Sequence, residues 1–182
     1  MTPKVTLRPA AEADIRAIAR IYAHHVRTGL SSFETAPPSA GEMARRWADV
    51  VKRGLPYFVA EVEGTVVGYA YVGPYRLRPA YRFVVEDSIY VHPEHTRKGI
   101  GRLLLSALIA SCEEQGYRQM VAIIGGSDNA PSIGLHKSFG FERAGLLRSV
   151  GFKFDRWVDT VLMQRPLGRG DSTLPDGAEA TR

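Results

Sequence analysis

Cysteine occurs once in 182 residues, as Cys112, so an intrachain disulfide and a cysteine-rich zinc site are both excluded. No apolar run approaches the roughly 18 residues of a membrane-spanning helix, and Met1-Thr2-Pro3-Lys4 lacks the apolar core of a signal peptide. The cytoplasm is the expected location, with no membrane partner. Charge of one sign is not concentrated either. Lys and Arg number 24 against 19 Asp and Glu, a net +5, without a block of five or six basic residues or a nucleic-acid-binding motif. Nucleic acid is therefore not expected, and an anionic small ligand accounts for the excess as well. There are no internal repeats. The one local concentration is Arg76, Arg78 and Arg82 around Pro79-Ala80-Tyr81, a solvated loop or a site for a carboxylate or phosphinate, which arginine binds bidentately.

What remains is 45% apolar and 24% charged residues, the balance of a globular domain large enough to bury a core. The chain is organised around the stretch from Val85 to Glu114. Val85 to Val91 is β-branched and aromatic, of strand length, and Leu104, Leu105, Leu108 and Ile109 share a helical face. Between them lies His92-Pro93-Glu94-His95-Thr96-Arg97-Lys98-Gly99-Ile100-Gly101-Arg102. A helix opened by a glycine loop presents unpaired N–H groups and the positive end of its dipole, so it favours an anionic group such as phosphate. A dinucleotide fingerprint fails because Leu104 stands at the third glycine, and a Walker loop fails because Arg102-Leu103 follows Gly101.

In order, Val5 to Arg8 is a first strand, and Asp14 caps a helix with Ile15, Ile18, Ala19 and Tyr22 on one face. A second helix runs from about Ala40 to Arg53. Tyr57 to Val62 and Thr65 to Val72 form a hairpin across Glu63-Gly64. After the central strand, loop and helix, Met120 to Ile124 is a buried strand, ended by Gly125-Gly126-Ser127-Asp128-Asn129. Ser132 to Phe139 is a short helix. Phe141 to Val150 and Val158 to Gln164 are the last strands, with Gly151 to Trp157 between them. Residues 168–182 turn to Gly, Asp, Ser, Pro and Thr, a flexible tail beyond a domain of residues 1–167. This order predicts an α/β sandwich on one mixed sheet of about seven strands flanked by about four helices.

Thr96-Arg97-Lys98-Gly99-Ile100-Gly101 resembles the pyrophosphate loop of the GNAT N-acetyltransferases, Gln/Arg-x-x-Gly-x-Gly/Ala, with Thr96 departing at the first position. Asn129-x-x-Ser132-x-x-Leu135-His136-x-x-x-Gly140-Phe141 resembles their second signature, with His136 at the usual tyrosine. A narrower resemblance covers Val5 to Leu167. Tyr57 to Gly73, Ala80-Tyr81, Glu86, Tyr90-Val91, His136, Gly151-Phe152-Lys153, Trp157 and Asp159 are similar to the phosphinothricin N-acetyltransferase branch, which includes the methionine sulfoximine and methionine sulfone acetyltransferases.

That resemblance implies a homodimer that uses acetyl-CoA to acetylate the α-amino group of a small glutamate- or methionine-like compound, for detoxification. It implies Glu86 as the general base and His136 as the donor of a proton to the leaving thiolate. The acetyl-CoA contacts it implies are Ile89, Tyr90 and Val91 through the backbone, Arg97, Lys98, Gly99, Ile100, Gly101 and Arg102 around the pyrophosphate, and Asn129 and Ser138. The substrate pocket carries over to Phe33, Arg78 and Tyr81. An α-amine is mostly protonated at pH 7, so a base is needed before it can attack a thioester; Asp87 is the rival for that role. Glu34, beside Phe33, would repel an anionic tail, which favours the sulfoximine and sulfone over phosphinothricin. His92 and His95 lack a third ligand, so no metal is expected. The competing expectations are acetylation of a protein N-terminus, a polyamine or an aminoglycoside, and a non-catalytic acyl-CoA-binding module.

Overall fold

The computed structural model describes residues 4–175. Seven strands, β1 (Val5–Pro9), β2 (Tyr57–Val62), β3 (Thr65–Pro74), β4 (Val84–Val91), β5 (Gln119–Gly125), β6 (Glu142–Lys153) and β7 (Arg156–Pro166), and four helices, α1 (Ile15–Thr28), α2 (Ala40–Lys52), α3 (Ile100–Glu114) and α4 (Ala130–Lys137), make up the fold. The strands form one sheet in the order β1-β2-β3-β4-β5-β7-β6. Every neighbouring pair is antiparallel except β4 and β5, which are parallel.

Helices cover both faces. Ile15, Ile18, Tyr22 and Val26 recur along α1 at helical spacing and, with Met43 of α2, close over Tyr57, Val59, Tyr69 and Tyr90 of the sheet. On the opposite face Leu104, Leu105, Leu108 and Cys112 of α3 pack on Ala70, Val72, Val85 and Met120. Ser39 opens α2 as a cap, its hydroxyl accepting the Glu42 N–H.

Two expectations are corrected. Asp14 does not cap α1 with its side chain; the carboxylate instead accepts the Ala11 N–H at 2.8 Å and the Arg8 guanidinium at 2.7 and 2.8 Å. Gly151 to Trp157 is not a loop, because β6 and β7 continue to Lys153 and Arg156 and turn on Phe154 and Asp155 alone. Both turn residues adopt positive φ, 52° and 55°, a tight hairpin turn for which sequence ordinarily offers glycine or asparagine as the signal. At residues 168–174 Arg118 donates to the Gly170 carbonyl, the Thr173 hydroxyl and the Leu174 carbonyl. The remainder of the expected tail, 176–182, lies outside the described residues.

Candidate active site

Parallel pairing between β4 and β5 spans only Val84–Asp87 against Gln119–Ala122. Beyond Asp87 the two strands part, while β4 stays paired to β3 as far as Val91 and Gly68. The opening between them is a cleft of about 1040 Å³ that Ile89, Tyr90, Val91, Asn129, His136 and Ser138 line. The Val91 carbonyl is met there by a side chain of α1, His25, whose Nε2–H donates to it at 2.8 Å. A strand with a free edge in a cleft offers backbone donors and acceptors to an extended, amide-bearing ligand.

The floor of one end is the glycine loop. Arg97 and Gly99 both have positive φ, 57° and 79°, and Gly99 directly precedes α3. Successive peptide N–H groups in such a conformation converge on an anion. The Thr96 hydroxyl turns inward to the Pro93 carbonyl at 3.1 Å, so the residue that departs from the loop pattern is occupied within its own turn. Arg97, Gly99, Ile100, Gly101 and Arg102 all line the cleft; Lys98 does not. Gly101 also serves packing, since a Cβ there would lie 3.3 Å from Leu135 of α4. Arg102 donates to the Ser138 hydroxyl at 2.8 Å and lies over the Phe139 ring, tying α3 to the end of α4. Asn129 accepts the Ser132 N–H as the cap of α4 and donates to the Gly125 carbonyl.

Where β4 and β5 separate, Asp87 and His136 meet. His136 Nε2 lies 3.0 Å from Asp87 Oδ2, and Nδ1 lies 2.8 Å from the Ser132 carbonyl. Both side chains are buried. Burial works against the imidazolium, but the Asp87 hydrogen bond and charge and the Ser132 carbonyl outweigh it, so the His136 pKa is raised above its ordinary value. Both ring nitrogens are thus engaged within the protein.

Glu86 occupies the other face of the same strand, the side of Ser88 and Tyr90. Burial, and secondarily the Asp87 charge, push its carboxyl up to about 7, with Arg76 opposing. Such a carboxylate is a usable base near neutral pH.

A loop and helix that can cradle a pyrophosphate and a strand edge open to an amide-bearing ligand meet in one cleft, which Asp87 lines while Glu86 takes the other face of the same strand. A family model described as the acetyltransferase (GNAT) family matches residues 18–141. The phosphinothricin N-acetyltransferase of Alcaligenes faecalis is 56% identical over 171 residues, 94% of this chain and 87% of that protein. The L-methionine sulfoximine/L-methionine sulfone acetyltransferase of Salmonella typhimurium is 40% identical over 163 residues, 90% of this chain and 95% of that protein. A crystal structure of a GNAT superfamily phosphinothricin acetyltransferase from Sinorhizobium meliloti in complex with AcCoA matches with a TM-score of 0.93 at 50% identity, covering 96% of this chain and 94% of that one.

This chain belongs to the GNAT acetyltransferase family. The expectations of a GNAT domain on a mixed sheet, of N-acetyltransferase activity and of acetyl-CoA as the acetyl donor hold.

In this acetyltransferase the expected substrate residues do not share one cavity. The Phe33 ring lies over Gly151 and against Gly125, where an added Cβ would overlap it; Gly125 itself lines the cleft. The loop that carries Phe33 is clamped by Lys153, whose ammonium donates to the Gly29 and Ser32 carbonyls at 2.8 and 2.7 Å. Arg78 and Tyr81 instead line a separate cavity of about 330 Å³, with Arg53, Arg76 and Arg82. The Glu34 carboxylate is not bare: Arg46 donates to it at 2.6 Å and the Tyr22 hydroxyl at 2.8 Å. Its paired charge removes the argument that it would repel an anionic tail.

Sequence reasoning placed Asp87 only as a rival base and missed Lys153 and His25 as holding elements. For Asp87 a signal existed, since Val85, Asp87, Ile89 and Val91 alternate onto one face and a carboxylate there interrupts an apolar row. Lys153 and His25 act through carbonyls 121 or more and 66 positions away, which no local pattern encodes.

Proposed function

We propose that this protein transfers the acetyl group of acetyl-CoA to the α-amino group of a small amino-acid analogue of the phosphinothricin, methionine sulfoximine or methionine sulfone type, with Glu86 as general base. The observation that carries this reading is the place of Glu86 on β4, the strand whose open edge lines the cleft, one residue from cleft-lining Asp87, with its carboxyl pushed up to about 7 by burial. A base with a pKa near the working pH is ionised in a useful fraction and still able to retain a proton. The open edge of Ile89 to Val91 and the loop Arg97 to Arg102, with Lys98 beside it, hold the donor, and Asn129 and Ser138 brace that wall. Main-chain N–H groups of β4 meet the charge that develops on the acyl oxygen. His136 supplies the proton that the departing thiolate needs. Phe33, packed against Gly125 of the cleft wall, contacts the amine substrate, whose pocket is completed in a homodimer. Phe152, Phe154 and Trp157, exposed on the β6–β7 hairpin at 56, 51 and 67%, support such an interface, because neighbouring exposed aromatics mark contact surfaces. The physiological role is detoxification in the cytoplasm.

The test is thiol release from acetyl-CoA with phosphinothricin, methionine sulfoximine, methionine sulfone and ordinary amino acids. Saturable turnover of an analogue that Glu86→Gln lowers by about 100-fold or more is the expected result. Full turnover in Glu86→Gln would falsify the mechanism.

A further inference from the structure

Two acceptors converge on one imidazole. The Ser132 carbonyl at 2.8 Å from His136 Nδ1 can only accept, so Nδ1 carries a hydrogen. A neutral ring with that hydrogen has a bare lone pair on Nε2, and an ionised carboxylate 3.0 Å away has only lone pairs to set against it. Both groups are buried, so water does not relieve the repulsion. In the resting protein a proton therefore lies between Nε2 and Oδ2.

The surroundings agree. The second carboxylate oxygen, Asp87 Oδ1, is buried without a hydrogen-bond partner among the described residues, and Asp87 lines the cleft at the point where β4 leaves β5. The titratable groups that feel Asp87 are Glu86 on the other face of β4 and Cys112 on α3. Burial first, then Asp87, pushes the Cys112 thiol up to about 12, so it stays neutral. The Phe141 ring meets the imidazole edge-on at 5.0 Å and adds no charge.

We infer that Asp87 is a positioning residue that keeps His136 doubly protonated at neutral pH and so holds ready the proton that the cleft's chemistry consumes. The inference rests on the acetyl-transfer reading for its use, though not for its existence. In the transfer the amine nitrogen forms a bond to the acyl carbon, the carbon–sulfur bond breaks, and its electron pair stays on sulfur. The Nε2 hydrogen passes to that sulfur, which leaves the unfavourable contact between the Nε2 lone pair and Asp87 that draws a proton back. The amine's surplus protons leave through Glu86 to solvent, and solvent returns one to the pair.

The experiment is a ¹⁵N titration of the histidine rings in the full chain without ligand, between about pH 5 and 9, beside kcat against pH for wild type and Asp87→Asn. The expected wild-type result is a His136 ring with hydrogen on both nitrogens at pH 7 and a midpoint above the ordinary value of about 6.5. Asp87→Asn is expected to lower that midpoint, reduce kcat by about 10- to 100-fold, shift the alkaline limb of kcat to lower pH, and leave acetyl-CoA affinity within about threefold. A wild-type ring that is neutral at pH 7, or an Asp87→Asn profile that superimposes on wild type, overturns the inference. Should Asp87→Asn fail to fold, the wild-type titration decides alone, with Asp87→Glu as the variant that retains the carboxylate. If no amine is turned over while His136 proves doubly protonated, the proposed function falls and the proton pair stands.

Discussion

Glu86 and Asp87 are adjacent in the chain and face opposite sides of the sheet. Asp87 is bonded to His136 beside α4, whereas Glu86 shares the face of Tyr71, Ser88 and Tyr90. One peptide unit thus separates two carboxyl groups into different environments, one bonded to an imidazole and one held up to about 7 by burial.

The raised Glu86 pKa has a sign that can be checked. A carboxyl at about 7 in the folded chain against an ordinary 4.5 binds more protons folded than unfolded, so stability falls as pH rises through that window. Glu86→Gln removes the penalty. Discounted for partial exposure, it should stabilise the protein by about 1–2 kcal/mol at pH 8 and by nothing measurable at pH 4. Thermal melts of both proteins at the two pH values check this, and kcat/KM of wild type should rise with a limb near 7.

Lys153→Met leaves the Gly29 and Ser32 carbonyls without their buried donor. A loss of about 1–3 kcal/mol in urea unfolding is expected. Because the same loop holds Phe33, KM for the amine should rise several-fold while KM for acetyl-CoA stays near wild type. Equal changes in both constants would separate Lys153 from the Phe33 loop.

At Gly125 an added Cβ would overlap the Leu30 carbonyl oxygen and lie 2.8 Å from the Phe33 ring. The obstacle is backbone, which cannot swing aside as a flexible side chain can. Gly125→Ala should cost about 1–3 kcal/mol and raise KM for the amine, whereas Gly73→Ala, where a Cβ meets nothing within 4 Å, serves as the control in the same melts.

Arg46→Gln exposes the Glu34 charge that Arg46 now neutralises. A bare carboxylate repels an anionic substrate tail more than a neutral one. The ratio of kcat/KM for phosphinothricin to that for methionine sulfone should fall several-fold. An unchanged ratio would place the substrate tail away from Glu34.

Much of this architecture was readable from residue order alone, because its signals are local. The apolar spacing of α3, the glycines before it and the Glu63-Gly64 turn between β2 and β3 each lie within a few residues of what they determine. The site was readable where a motif is contiguous, as from Arg97 to Arg102. Elsewhere it depends on contacts across long sequence separations. Nothing near Glu34 announces Arg46, and nothing near Lys153 announces Gly29. The β6–β7 turn escaped because Phe154 and Asp155 take left-handed conformations without a glycine. Arg78 and Tyr81 show the reverse, since lying within ten residues of cleft-lining Asp87 in sequence did not bring them into the cleft.

The early parting of β4 from β5 also bears on how the molecule comes apart. Four residue pairs join these strands, against seven between β5 and β7, so the sheet is two half-sheets with a short parallel seam. Local opening starts where few backbone bonds must break together, and amides of Gln119 to Ala122 should exchange with deuterium sooner than the central amides of β3. A ligand laid along the cleft touches both halves and stabilises only the closed form. What spans the seam sets how firmly the two halves cohere, and the reactant thereby becomes a structural part of the enzyme that consumes it.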